Sequence, residues 1–160
     1  MQKVFGLLIS VLLIASCASL DSLPQSAAEA DFNPDLEGRT GWSKYEEAYF
    51  FNGIDARTCY LASKSGLADA KFTIKKASFK KLFAIGEHGL TATDWNVVAG
   101  VYIKPEPKGC AVKILVEGSK DVGFWGDMTE SSWTQDIYKG MREYILTESL
   151  ISNPNKKHFQ

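Results

Sequence analysis

Two apolar runs decide the fold: Asn-Val-Val-Ala-Gly-Val-Tyr-Ile-Lys at residues 96–104 and Cys-Ala-Val-Lys-Ile-Leu-Val-Glu at residues 110–117. Both are rich in β-branched residues and are long enough for strands. Between them stands Pro105-Glu106-Pro107-Lys108-Gly109, where two prolines are expected to interrupt the ladder and make a turn. The pair reads as a β-hairpin.

The flanks read outward from this hairpin. Residues 70–77 alternate, with Phe72 and Ile74 on one face and Thr73 and Lys75 on the other, as in a half-buried strand. Residues 82–86 suit a further strand, although Phe79, Leu82, Phe83 and Gly86 also fit helical spacing. Gly86-Glu87-His88-Gly89 supplies turn residues. Residues 122–125 read as a short strand or a loop. Near the C-terminus, Trp133, Ile137, Met141, Tyr144 and Ile145 fall on one helical face, which predicts a helix from Ser131 or Ser132 to about residue 149. Near the N-terminus, Ser43 and Glu46 have capping-box spacing. Tyr45, Ala48, Tyr49, Ala56, Cys59, Tyr60 and Ser63 follow on one face. They predict a helix over 43–64, with Gly53 as a weak point and Gly66 as its stop. The order helix, strands, helix implies an α+β two-layer sandwich: an antiparallel sheet of three to five strands with both helices on one face.

Composition fits one such domain. The chain has 160 residues, 45% apolar and 23% charged, a globular balance with room for a single core. Its 18 basic and 19 acidic side chains leave a formal charge of −1, so no global basic field points to nucleic acid.

The first residues are of a different kind. Lys3 precedes an uncharged apolar run over residues 4–15, too short to span a bilayer and built as a secretory signal. Ile14-Ala15-Ser16-Cys17 resembles the lipobox of bacterial lipoproteins, an aliphatic residue and two small ones before a cysteine. The resemblance covers this segment alone. It implies that residues 1–16 are removed, that Cys17 carries lipid, and that the protein is membrane-anchored. Ala18 and Ser19, in place of an Asp after the cysteine, favour the outer membrane in that family, facing the periplasm. Several acyl chains on one residue would hold almost permanently, at about 0.8 kcal/mol per buried methylene. Residues 17–41 are rich in Ser, Asp, Pro, Asn and Gly and read as a flexible tether. A single domain follows over 42–150, and 151–160 is a polar tail.

If Cys17 carries lipid, Cys59 and Cys110 remain as an even pair in an oxidising compartment, where a disulfide is expected. Two separate buried thiols, or one nucleophilic thiol served by His88 or His158, are the alternatives.

No phosphate-binding loop, nucleophile elbow, zinc helix or calcium loop is present in the sequence, so no cofactor or metal is expected. His88 offers a polar contact or a weak metal ligand, against the plainer reading of a solvated turn histidine. Trp95 beside Asp94, and Trp125 beside Asp127, could stack on a sugar ring and bond its hydroxyls, against the plainer reading of buried indoles with turn carboxylates. Charge is uneven along the chain. Seven basic residues lie between Arg57 and Lys81 against the one acid Asp69, a pattern that suits anionic headgroups, an acidic partner or simple edge protection. Five acids against Lys120 lie between Glu117 and Asp136.

The function expected is that of a non-enzymatic lipoprotein whose domain binds or scaffolds an envelope protein or peptidoglycan. A carboxylate-dependent envelope hydrolase using Asp127 or Glu130 is the alternative, and it requires those groups and Asp94 to converge in a cleft.

Overall fold

The computed structural model describes residues 19–33, 35, 38–39, 44–89, 96–118 and 131–152. Among these residues, six antiparallel strands form one sheet: β1 (Gly38–Arg39), β2 (Lys44–Asn52), β3 (Thr73–Ser78), β4 (Phe83–His88), β5 (Val97–Glu106) and β6 (Gly109–Glu117). Their order across the sheet is β1-β2-β6-β5-β4-β3. Helices α1 (Ala56–Asp69) and α2 (Ser131–Ser152) both lie on one face. This is the two-layer α+β arrangement expected. It has one strand beyond the three to five anticipated, the two-residue β1.

The central hairpin is longer than expected. Pro105 continues β5 opposite Cys110, and Glu106 pairs with Gly109, so only Pro107 and Lys108 make the turn. The reason is directional. Ile103 donates its N–H to Leu82 on the β4 side. Two residues on, Pro105 would aim in the same direction, past the first residue of β4. Its missing N–H therefore costs no ladder bond.

The helix expected over 43–64 is corrected. Residues 44–52 form β2, paired with β6 from Lys44↔Glu117 to Asn52↔Gly109. Tyr45, Ala48 and Tyr49 fit helical steps, but Tyr45, Glu47, Tyr49 and Phe51 also alternate. Pairing along a whole strand of β6 selects the period of two. Gly53, at φ 73°, turns the chain out of the strand and donates to Lys108 O at 2.7 Å.

Helix α1 starts instead at Asp55, whose carboxylate accepts from the Arg57 and Thr58 amides at 2.8 and 2.9 Å. The Thr58 amide, then the Thr58 hydroxyl, hold this carboxyl below its ordinary value of 3.8. A group lowered on folding supports stability above its unfolded value and loses that support as pH falls through the folded one. Asp55→Ala should cost about 1 kcal/mol of stability. Asp55→Asn, which caps without titrating, should reduce the acid-induced loss of helix signal below pH 4 in circular dichroism.

Gly66 is not the stop. It lies inside α1 against α2, where a Cβ would come 2.4 Å from Ile137 O and 2.7 Å from Met141 Cγ. The helix runs on to Asp69. Beyond it Lys71 adopts a left-handed φ of 67°, its N–H reaches Ala68 O, and the Phe72 N–H reaches Leu67 O at 2.8 Å. That is a Schellman closure, with lysine where glycine is usual.

Helix α2 matches its expected face: Trp133, Ile137, Met141 and Ile145 are buried. Tyr138 stacks on Tyr49 at 3.9 Å between ring centroids and fixes α2 to β2.

The opposite face of the sheet is covered too, which explains why β5 and β6 read as nearly continuous apolar runs. Residues 19–33 cross it as a strap. Leu23 is 2% exposed among Phe83, Ile85, Val98, Tyr102 and Leu115, with Leu20, Ala27, Ala30 and Phe32 alongside. The flexible tether expected over 17–41 is thus, over this stretch, part of the folded domain. Spacings of three and four among Leu20, Leu23, Ala27 and Ala30 were the available signal, diluted by interspersed Ser, Asp, Gln and Glu.

Candidate functional site

Cys59 of α1 and Cys110 of β6 form a disulfide across a sequence separation of 51. Both residues are fully buried, so the bond joins the helical layer to the sheet inside the core. This is the pairing expected, and it leaves neither thiol as a nucleophile.

The strap closes over a charged network. Lys113, in the middle of the β6 apolar run and only 1% exposed, reaches Glu46 of β2 at 3.1 Å. Buried Glu117 pairs with Lys44 and with the Ser22 hydroxyl, which also lies 2.6 Å from Ser19 O. Lys76 of β3 holds Asp21 at 2.7 Å and Gln25 at 3.0 Å. The exposed Asp21 carboxyl is lowered by that lysine. Tyr102 lies over Gly100, where a Cβ would come 2.3 Å from the phenol oxygen, and its hydroxyl donates to Pro24 O at 3.0 Å. Burial, then the Glu117 charge, push the Tyr102 pKa above its ordinary value of 10.0.

His88 is not a solvated turn residue. It is the last residue of β4, opposite Val97. Its ring is 4.8 Å from Trp133 and 5.8 Å from Phe72, and Trp133 and Phe72 are 5.1 Å apart. Its Nδ1 is buried without a hydrogen-bond partner among the described residues. Beside it Glu87 accepts from Asn96 at 2.8 Å and pairs with Lys75 at 3.4 Å. The expected turn at 86–89 is therefore mostly strand. No group of three or more His, Cys, Asp or Glu side chains that could hold a metal exists among the described residues.

Two clefts of about 450 Å³ flank these features. One, apolar, lies under the far end of the strap between Ala27, Phe32, Leu82, Ile103 and Pro105. The other, polar, lies between the end of α1 and α2, with Asp69, Lys71, Trp133, Asp136, Lys139 and Glu143.

Of the other sequence-derived candidates, Cys17, Asp94, Trp95, Trp125, Asp127 and Glu130 lie outside the described residues, as do the strand or loop at 122–125 and the tail from 153 onward. The buried Lys113 network escaped the sequence reading. Its signal was a lysine inside a run otherwise fit for a core, which demands a partner.

No protein-family model matches the chain, and no curated protein matches it. Among solved structures, it is similar to Ara h 8.0201 at 12% identity and a TM-score of 0.47, covering 65% of this chain and 97% of that one. It is similar to the di-domain ARO/CYC StfQ of the steffimycin biosynthetic pathway at 5% identity and 0.46, covering 67% of this chain and 52% of that one. It is also similar to the protein TTHA0849 from Thermus thermophilus at 10% and 0.41, covering 66% and 99%. All three scores fall below 0.5, and the fold described above rests on this chain's own strand pairings.

Proposed function

We propose that the protein is an outer-membrane lipoprotein, anchored through Cys17 and facing the periplasm, whose domain binds or scaffolds another envelope component. The disulfide carries this reading. It accounts for two of the three cysteines and suits an oxidising compartment. The cysteine left over is the one within Ile14-Ala15-Ser16-Cys17. The strap adds support. Folded structure is under way by Ser19, two residues after Cys17, so at most about 7 Å of extended chain would separate anchor from domain. The domain would stand at the bilayer rather than sweep the periplasm.

Intact-mass spectrometry with membrane fractionation tests the anchor. The expected product begins at Cys17, carries acyl chains and sediments with outer membranes, whereas Cys17→Ser stays unacylated. A wild-type product without acyl mass, or one beginning elsewhere, refutes it. Cross-linking in intact envelopes tests the binding role. A retained protein or glycan is expected, and a monomer retaining nothing at physiological salt refutes it.

A further inference from the structure

The fold brings the basic segment of the sequence to one edge. Arg57 and Lys64 stand on α1, and Lys71, Lys75, Lys80 and Lys81 follow along β3 and its flanking turns. Strand β3 is the last of the sheet, so this edge faces outward. Lysine on an edge strand deters pairing with another chain, which accounts for Lys75. It does not account for what stands among the cations. Phe79, in the turn beside Lys80 and Lys81, is 48% exposed, and its ring lies 5.4 Å from Tyr60 of α1. Leu61, next to Tyr60, is 37% exposed, and Lys64 Nζ lies 5.9 Å from the Tyr60 ring. Helix α1 carries no acid before Asp69. Strap residue Glu29 faces Lys81, and Lys80 is exposed. Half-exposed aromatic rings beside ammonium groups match the headgroup boundary of an anionic bilayer, where rings settle at the interface and amines meet phosphates.

A second observation points the same way. The Asp21–Lys76 pair ties the start of the strap to β3 at 2.7 Å, while the adjacent Ser22 reaches inward to Glu117 of β6. Residue 17 is four positions upstream, within about 14 Å of extended chain.

We propose that the β3 edge, with the turn bearing Phe79 and the outward side of α1, rests on the anionic phospholipid surface of the bilayer. The edge chemistry stands without the acyl anchor; only the direction of pull from residue 17 rests on the lipoprotein reading.

The test uses the full chain isolated from the envelope, with a fluorescent non-natural residue in place of Ala77 on β3 or Asn52 on β2. The two positions lie about 19 Å apart across the sheet, at about 4.8 Å per strand. Vesicles carry nitroxide headgroups and either phosphatidylglycerol or phosphatidylcholine alone. The probe at 77 is expected to be quenched several-fold more than the probe at 52, in phosphatidylglycerol only. Each lysine near an anionic surface contributes roughly fivefold. Lys80→Ala with Lys81→Ala should therefore lower the ratio of apposed to free domain on the order of 25-fold. Equal quenching at both positions, or no dependence on lipid charge, overturns the proposal, as does retention of an acidic protein without quenching. Intact mass of the same sample reports acylation separately, so a missing anchor and a missing bilayer contact are told apart.

Discussion

Replacing Cys59 and Cys110 together with alanine is expected to lower unfolding stability by about 4 kcal/mol, the chain-entropy value for closing a loop of this length. Few single bonds in a small domain weigh as much, since whole-domain stability is about 5–15 kcal/mol. The position of the bond increases its leverage. Cys59 lies near the start of α1, and Cys110 opposes both Phe51 and Pro105. With the crosslink present, even the unfolded chain keeps α1 close to the hairpin that forms its floor. Urea denaturation with and without a reductant measures the effect. A large fall in midpoint with an altered slope is expected, because the crosslink also changes how far the denatured chain expands. Midpoints that coincide would show the bond to be thermodynamically idle, and would weaken the case for an oxidising compartment.

The central hairpin and α2 were legible because their signals are local. Residues 97–103 and 110–116 hold enough apolar and β-branched side chains to be strands under any neighbour, and the Trp133 to Ile145 stripe has a single compatible period. The first strand was not legible, because Tyr45, Ala48 and Tyr49 satisfy a helical step while Tyr45, Glu47, Tyr49 and Phe51 satisfy a strand step. Only β6, some sixty residues away, decides between them. Distance in sequence also hid the Lys113–Glu46 pair and the cluster of His88 with Phe72 and Trp133, whose three rings come from β4, the turn between α1 and β3, and the start of α2. The strap was missed for a compositional reason. Four or five apolar contacts suffice to dock a short segment when the sheet beneath supplies Phe83, Ile85, Val98 and Leu115. A stretch rich in serine and aspartate does not advertise so few anchors. The cysteine pairing, by contrast, followed from parity and compartment once Cys17 was set aside.

Leu23→Ala is expected to cost about 3 kcal/mol, within the range for truncating a fully buried leucine, and to act chiefly on the strap. The strap has few other apolar holds, and its remaining ties are polar: Lys76 to Asp21 and Gln25, the Ser22 hydroxyl to Glu117, Tyr102 to Pro24, and the Ala27 amide to Lys81 O at 2.9 Å. Exchange at the Ala27 amide should accelerate far more than at amides of the β5–β6 ladder, because the strap can lift without separating the sheet from the helices. Tyr102 gives an independent readout. Its pKa is raised on folding, so its contribution to stability is complete below the ordinary phenol value of 10.0 and is lost as pH rises beyond it. Wild-type Tyr102 should therefore resist ionisation when exposed tyrosines titrate, and strap release should accompany its deprotonation at strongly alkaline pH. In Leu23→Ala, with the cover loosened and water admitted, ultraviolet titration should show one more tyrosine ionising near the ordinary phenol value of 10.0. Faster exchange spread evenly over the whole sheet would mean that strap and domain open as one cooperative unit. In that case the strap would be an integral layer of the core.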